Sequence, residues 1–276
     1  MSYTDKALMF DGMRVHYIEG GSGFPVLMIH GSGPGASTIG NWRLVLEPLA
    51  QRYRVFAMDL IGFGRSDRKP ETPYFDMDLW LGQCRAMLDR IGSSSVGIIG
   101  HSISGALALR LAASDPRITK VLTTGAMGAS FTVNEHTIRT WTFPNNRDEL
   151  RRAAESLVYD KSLIDDAYIE NRENVLFDGE YESYFSTLFN GDKQQYVDAA
   201  IISDEELAKI SCDVMMLHGR DDLGFPAESL TLPISRSIAK ADATVIGRCS
   251  HSIAMEHPAK LIGAADVLFG QPSEVR

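Results

Sequence analysis

The chain has little cysteine: three residues in 276, at positions 84, 212 and 249. Their spacing gives neither a metal-binding cluster nor an even disulfide framework, so a disulfide-stapled fold is excluded and the thiols suit a reducing cytoplasm. No run of 18 apolar residues occurs, so no membrane-spanning helix is expected. The opening MSYTDKALMF has no charged stretch leading into an apolar one, so no signal peptide is expected. Internal repeats and low-complexity tracts are also missing. Positive charge is the scarcer sign, with 27 Lys and Arg against 36 Asp and Glu, a net of −9. That balance argues against nucleic acid or anionic membrane as a partner.

What is present is an ordinary globular mixture, 44% hydrophobic and 23% charged, long enough for one or two domains with a large core. The charge is unevenly spread. Residues 130–205 hold 7 basic and 16 acidic side chains, whereas the other 200 residues hold 20 of each. The shift coincides with a change of pattern. Before it, short apolar runs at 13–19, 25–30, 53–59, 96–101 and 120–125 alternate with helical stretches at about 40–51, 76–91 and 103–113. After it, the alternation resumes with 213–219 and 243–248 and a final helix through 261–269. Continuous apolar strands separated by helices predict a mostly parallel sheet covered on both faces. The expected organisation is an α/β core of 1–129 and 206–276 with a helical lid at 130–205.

Residues 96–105 read VGIIGHSISG. An apolar strand runs into Ser102 and a strong helix former follows, the context of a nucleophile elbow. The pattern is G-x-S-x-S; Ser104 takes a place that needs a small residue. Alone, this serine reads equally well as a helix N-cap, and its partners decide. A serine hydroxyl needs a histidine to take its proton and a carboxylate to orient that histidine. After the strand DVMMLHG comes Arg220-Asp221-Asp222, with Asp222 the candidate acid and Asp221 its rival. After ATVIGR comes Cys249-Ser250-His251, with His251 the candidate base. All fall at strand ends, in the order serine, acid, histidine. The oxyanion donors are expected from the Ile103 amide and from the Ser32 amide in the loop His30-Gly31-Ser32-Gly33-Pro34-Gly35. Asp59-Leu-Ile-Gly-Phe-Gly-Arg-Ser-Asp67 reads as a structural loop, with Asp59 and Ser66 satisfying backbone groups, since G-x-G alone is a weak phosphate signal.

These residues resemble the α/β-hydrolase superfamily over nearly the whole chain, and HGSGPGA at 30–36 is similar to the meta-cleavage product hydrolases. The resemblance implies an α/β-hydrolase fold and hydrolysis of a carbon–carbon bond in 2-hydroxy-6-oxo-hexa-2,4-dienoate ring-fission products. It implies no cofactor and an anionic small-molecule substrate. A homodimer or larger homo-oligomer in the cytoplasm is also implied. The family's asparagine falls on Asn41, eleven residues after the loop histidine, and its lid arginine on Arg172. Ile169, Arg172 and Leu176 share one helix face, in a helix expected to start from a Ser162/Asp165 capping box. A cation on an apolar stripe needs either an internal carboxylate or a carboxylate-bearing substrate; the resemblance favours the substrate. Gly31 and Gly33 belong to the same expected pocket.

Two positions depart from the family pattern. His101 stands where asparagine usually precedes the nucleophile, and Ser252 where tryptophan usually follows the catalytic histidine. Leu157 and Ser252, where aromatics are usual, imply added room, enough for a bicyclic acyl group. These departures leave open an ester or amide hydrolase with the same triad, or a hydrolase-like receptor for a small ligand.

Overall fold

The computed structural model describes residues 3–177 and 179–270. Its centre is one eight-stranded sheet of β1 (Thr4–Phe10), β2 (Met13–Gly20), β3 (Pro25–Ile29), β4 (Arg54–Met58), β5 (Val96–His101), β6 (Ile118–Thr124), β7 (Asp213–Gly219) and β8 (Ala241–Ile246). The spatial order is β1-β2-β4-β3-β5-β6-β7-β8. β2 pairs antiparallel with both β1 and β4, and every pairing from β4 to β8 is parallel. The order in which successive strands are added reverses at β3, with β4 on one side and β5 on the other, which places the β3–β5 pair at the topological switch point, where α/β sheets bind ligands.

Alternation along the strands feeds two cores. Leu27, Ile29, Phe56, Ile98, Val121 and Met216 pack on one face. Their neighbours Val26, Met28, Val55, Ile99, Leu122 and Leu217 pack on the other. Both faces are therefore dry, which is why these strands read as unbroken apolar runs.

The core helices are α1 (Thr38–Trp42), α2 (Leu46–Ala50), α3 (Met77–Ile91) and α4 (Ile103–Ser114). The helical stretch expected at 40–51 is thus two short helices; Val45, half-way along, starts the second without a side-chain cap. Between β6 and β7 lie α5 (Glu135–Thr140), α6 (Arg147–Glu155), α7 (Asp166–Leu176), α8 (Tyr181–Leu188), α9 (Gln194–Ala200) and α10 (Asp204–Ala208). All eight strands fall outside this insertion. Its expected end at 205 cuts through α10, which Ser203 and Glu206 cap reciprocally. The chain closes with α11 (Thr231–Arg236), α12 (Ile253–Glu256) and α13 (Pro258–Phe269).

Two local expectations need correction. β1 was not anticipated; it is an edge strand with only Leu8, Phe10 and one polar residue half-covered on its inner side. The α7 cap is Asp165 alone, accepting from the Tyr168 amide at 2.8 Å, while Ser162 sits in a preceding turn held by Asp160.

Candidate active site

Ser102 sits between β5 and α4 with φ 58 and ψ −124, a strained conformation for a residue with a side chain. The sharp turn needs close packing around it. A Cβ on Gly105 would stand 2.5 Å from the Ala126 side chain, so glycine is required there and not at position 104. Ser104 is fully buried and donates its hydroxyl to the His30 carbonyl at 2.5 Å. The serine of G-x-S-x-S therefore fastens α4 to the loop after β3.

His251 follows β8, and its Nδ1 lies 2.6 Å from Asp222 Oδ2 at the end of β7. Asp222 Oδ1 accepts from the Phe225 amide at 3.0 Å. Burial pushes the Asp222 carboxyl up, but His251 and His218 beside it hold it well below the usual carboxylate range, so it stays ionised. Asp221 faces elsewhere, accepting from the Arg248 amide at 2.9 Å. Of the adjacent carboxylates, Asp222 alone orients the imidazole. Among the described residues no hydrogen bond joins Ser102 to His251, although both line one cavity; such bonds are commonly loose without substrate.

That cavity also receives Gly31, Ser32, Gly33, Asn41, His101, Leu157, Arg172 and Ser252. Asn41 accepts from the Gly31 amide at 3.4 Å. Gly31 has no room for a side chain, because its Cβ would stand 2.9 Å from the His101 ring and 3.2 Å from Ser102 Cβ. Ile103 is the first residue of α4, so its amide belongs to the helix terminus that lacks internal acceptors. Asp222 lies behind His251, and neither it nor Ile103 lines the cavity.

Arg172 donates to the Pro34 carbonyl and, at 3.1 Å, to the Tyr168 hydroxyl, with its guanidinium 5.5 Å from the Tyr168 ring centre. Nearby carboxylates are committed to other arginines: Asp166 to Arg147 and Arg151, Glu173 to Arg147. Among the described residues, none pairs with Arg172. Tyr168 was not singled out from the sequence, although its i−4 spacing from Arg172 put it on the same face.

His101 is held by Nδ1 at 3.0 Å from both the carbonyl and the hydroxyl of Thr124. A carbonyl only accepts, so Nδ1 carries the proton and Nε2 is left as an acceptor. Burial, then His251 at 4.7 Å between ring centres, push its pKa down to about 3. The second imidazole is thus neutral. The added room expected from Leu157 and Ser252 is not found. The cavity is about 70 Å³, because Val158, Tyr168 and Met255 line the same space.

The loop after β4 is structural as expected. Asp59 accepts from the Thr38 and Arg65 amides, and Ser66 bridges the His16 amide and the Asp59 carbonyl.

The profile of the alpha/beta hydrolase family matches residues 26–264. The chain belongs to that family. Among its curated relatives, this hydrolase is 32% identical over 256 residues to 2-hydroxymuconate semialdehyde hydrolase of Pseudomonas sp. strain CF600, covering 92% of this chain and 90% of the relative. It is 31% identical to 2-hydroxy-6-oxo-2,4-heptadienoate hydrolase of Pseudomonas putida F1, covering 91% of each. Among solved structures it resembles a meta-cleavage product hydrolase from Pseudomonas fluorescens IP01, with TM-score 0.89, 30% identity, and 94% and 95% of the two chains covered. No helix among the described residues of this hydrolase is long and apolar enough to cross a membrane.

Proposed function

We propose that this enzyme hydrolyses the carbon–carbon bond of 2-hydroxy-6-oxo-hexa-2,4-dienoates. One observation carries the reading: the cavity beside Ser102 and His251 is lined by a guanidinium that pairs with no carboxylate among the described residues, as a carboxylated substrate requires. Arg172 and Asn41 hold the carboxylate and 2-oxo end. The keto tautomer places an electron sink beside the scissile bond. His251, oriented by Asp222, takes the Ser102 proton as Oγ attacks the 6-keto carbon, and the Ser32 and Ile103 amides hold the oxyanion. The dienol leaves with a proton from His251, and water then releases the acid from Ser102. The chemistry needs no cofactor. A homodimeric or larger assembly in the cytoplasm completes the reading, checked by light scattering and cell fractionation.

The two Pseudomonas relatives, named for a semialdehyde and a heptadienoate, support a short C6 substituent, hydrogen or methyl, over an aryl one. The test is turnover of dienoates differing at C6, beside aryl esters and amides. Dienoates with hydrogen or methyl are expected to give the highest kcat/KM, and Ser102→Ala is expected to lose at least about 1000-fold while still binding. Preference for neutral esters would replace this reading with that of an esterase.

A further inference from the structure

The indole of Trp141 lies where three parts of the site meet. It ends α5, the first helix of the insertion, and is buried. Its Nε1–H donates to the Ser32 hydroxyl at 3.1 Å, on the loop that supplies one of the two oxyanion amides in the reading above. One ring face stacks on Phe189, at 5.5 Å between centres and 9° between planes. Tyr196 meets it edge-on at 5.9 Å. Both belong to the insertion.

Phe225 meets the same indole edge-on, 5.7 Å away. Phe225 also stacks on His251 at 4.5 Å and 26°, and its amide donates to Asp222. A shift of the indole therefore moves a contact of the oxyanion loop and a contact of the base together. Nothing about packing alone requires a polar atom here. Phenylalanine would fill most of the same space, but only tryptophan reaches Ser32 with a donor.

We infer that Trp141 is a positioning residue, setting the Ser32 loop through its N–H and the His251 ring through Phe225, so that the insertion must be seated for Ser102 to react. Asn41, Ser104 and the His30 ring support the loop from the core. From the insertion, Arg172 holds its far end at the Pro34 carbonyl, and Trp141 holds the Ser32 side chain itself.

The inference rests on Ser102 and the oxyanion loop acting as proposed, but not on the bond cleaved. The experiment therefore uses a fluorophosphonate probe, whose reaction needs the nucleophile and the oxyanion site but no dienoate. Trp141→Phe and Ser32→Ala are each expected to lower the limiting labelling rate kinact about 10-fold, with KI changed less than twofold, since misplacement by a fraction of an ångström costs rate before binding. Trp141→Phe/Ser32→Ala is expected to be no more than twofold slower than the slower single variant. Ser32→Ala leaves the aromatic cluster intact and carries the same expectation if Trp141→Phe folds poorly. Wild-type kinact in either single variant, or a double variant whose effect is the product of the two, overturns the inference. Labelling that persists in Ser102→Ala overturns the nucleophile itself, and the inference with it.

Discussion

At the scale of the residue, His101 is the position where chemistry and sequence pattern diverge most. An imidazole beside the nucleophile suggests a second titrating base. Burial and the His251 ring beside it prevent that by disfavouring the charged imidazole, while the Thr124 carbonyl, which fixes the tautomer, pulls the other way. His101→Asn is accordingly expected to alter kcat while leaving the shape of the pH–rate profile between pH 5 and 9 unchanged; a lost inflection would mean that His101 titrates in the working range. The partner that fixes the tautomer is 23 residues away on β6, so nothing local to GHS reveals it. Arg172 is the converse case. Its helix face was legible from i, i+3, i+7 spacing, and the committed state of Asp166 and Glu173 was not. Arg172→Ala is expected to lower kcat/KM on carboxylated dienoates by about 10- to 100-fold, the value of a charge-assisted hydrogen bond. On neutral aryl esters the change is expected to stay within about threefold, and equal losses would assign Arg172 to structure.

At the scale of the element, Ser104 carries the clearest consequence. Its hydroxyl meets a carbonyl at the start of the oxyanion loop, deep between α4 and β3. Ser104→Ala leaves that carbonyl short of a buried donor and is expected to cost about 1–3 kcal/mol, read as a lowered midpoint in urea unfolding. The parallel strands were readable because burial on both faces removes polar alternation. The serine, acid and histidine were readable because each stands at a strand end in a fixed order. β1 was missed for the opposite reason: an edge strand has one half-covered face and a weak pattern. The usable signal was the turn, because Asp11 and Gly12 both adopt positive φ, as a two-residue hairpin demands. The insertion gave only its helical and acidic character. Among the described residues its six α-helices are 5 to 11 residues long, and few of them complete enough turns for periodicity to mark their ends. The role of Trp141 was equally hidden, since its partners lie in four separate segments.

At the scale of the whole molecule, pH acts through the cluster that ties β1, β2 and the loop after β4. His16 lies 2.7 Å from Asp59 and 2.9 Å from Asp5. Burial pushes the His16 pKa down, but the two carboxylates outweigh it and leave the value raised. Burial likewise opposes ionisation of Asp59, and His16 and the Thr38 and Arg65 amides outweigh that, leaving Asp59 lowered. The Asp59 contribution is present above about pH 4 and is lost as pH falls through its lowered value. The His16 contribution is complete below about pH 6.5 and is lost as pH rises through its raised value. Melting temperature is therefore expected to be greatest between about pH 4 and 6.5 as far as this cluster governs it. His16→Gln is expected to flatten the alkaline decline in melts from pH 5 to 9, and an unchanged slope would remove His16 as its source.

The uneven charge has one more consequence. The insertion holds 16 acidic and 7 basic residues, the rest of the chain is balanced, and Leu157, Tyr168 and Arg172 of the insertion wall the cavity. The molecule is thus an electric dipole whose negative pole is the face over its own reaction centre. Beside a positively charged surface it turns that face inward. Adsorption on a cationic support is therefore expected to lower turnover more than adsorption on an anionic one at equal loading.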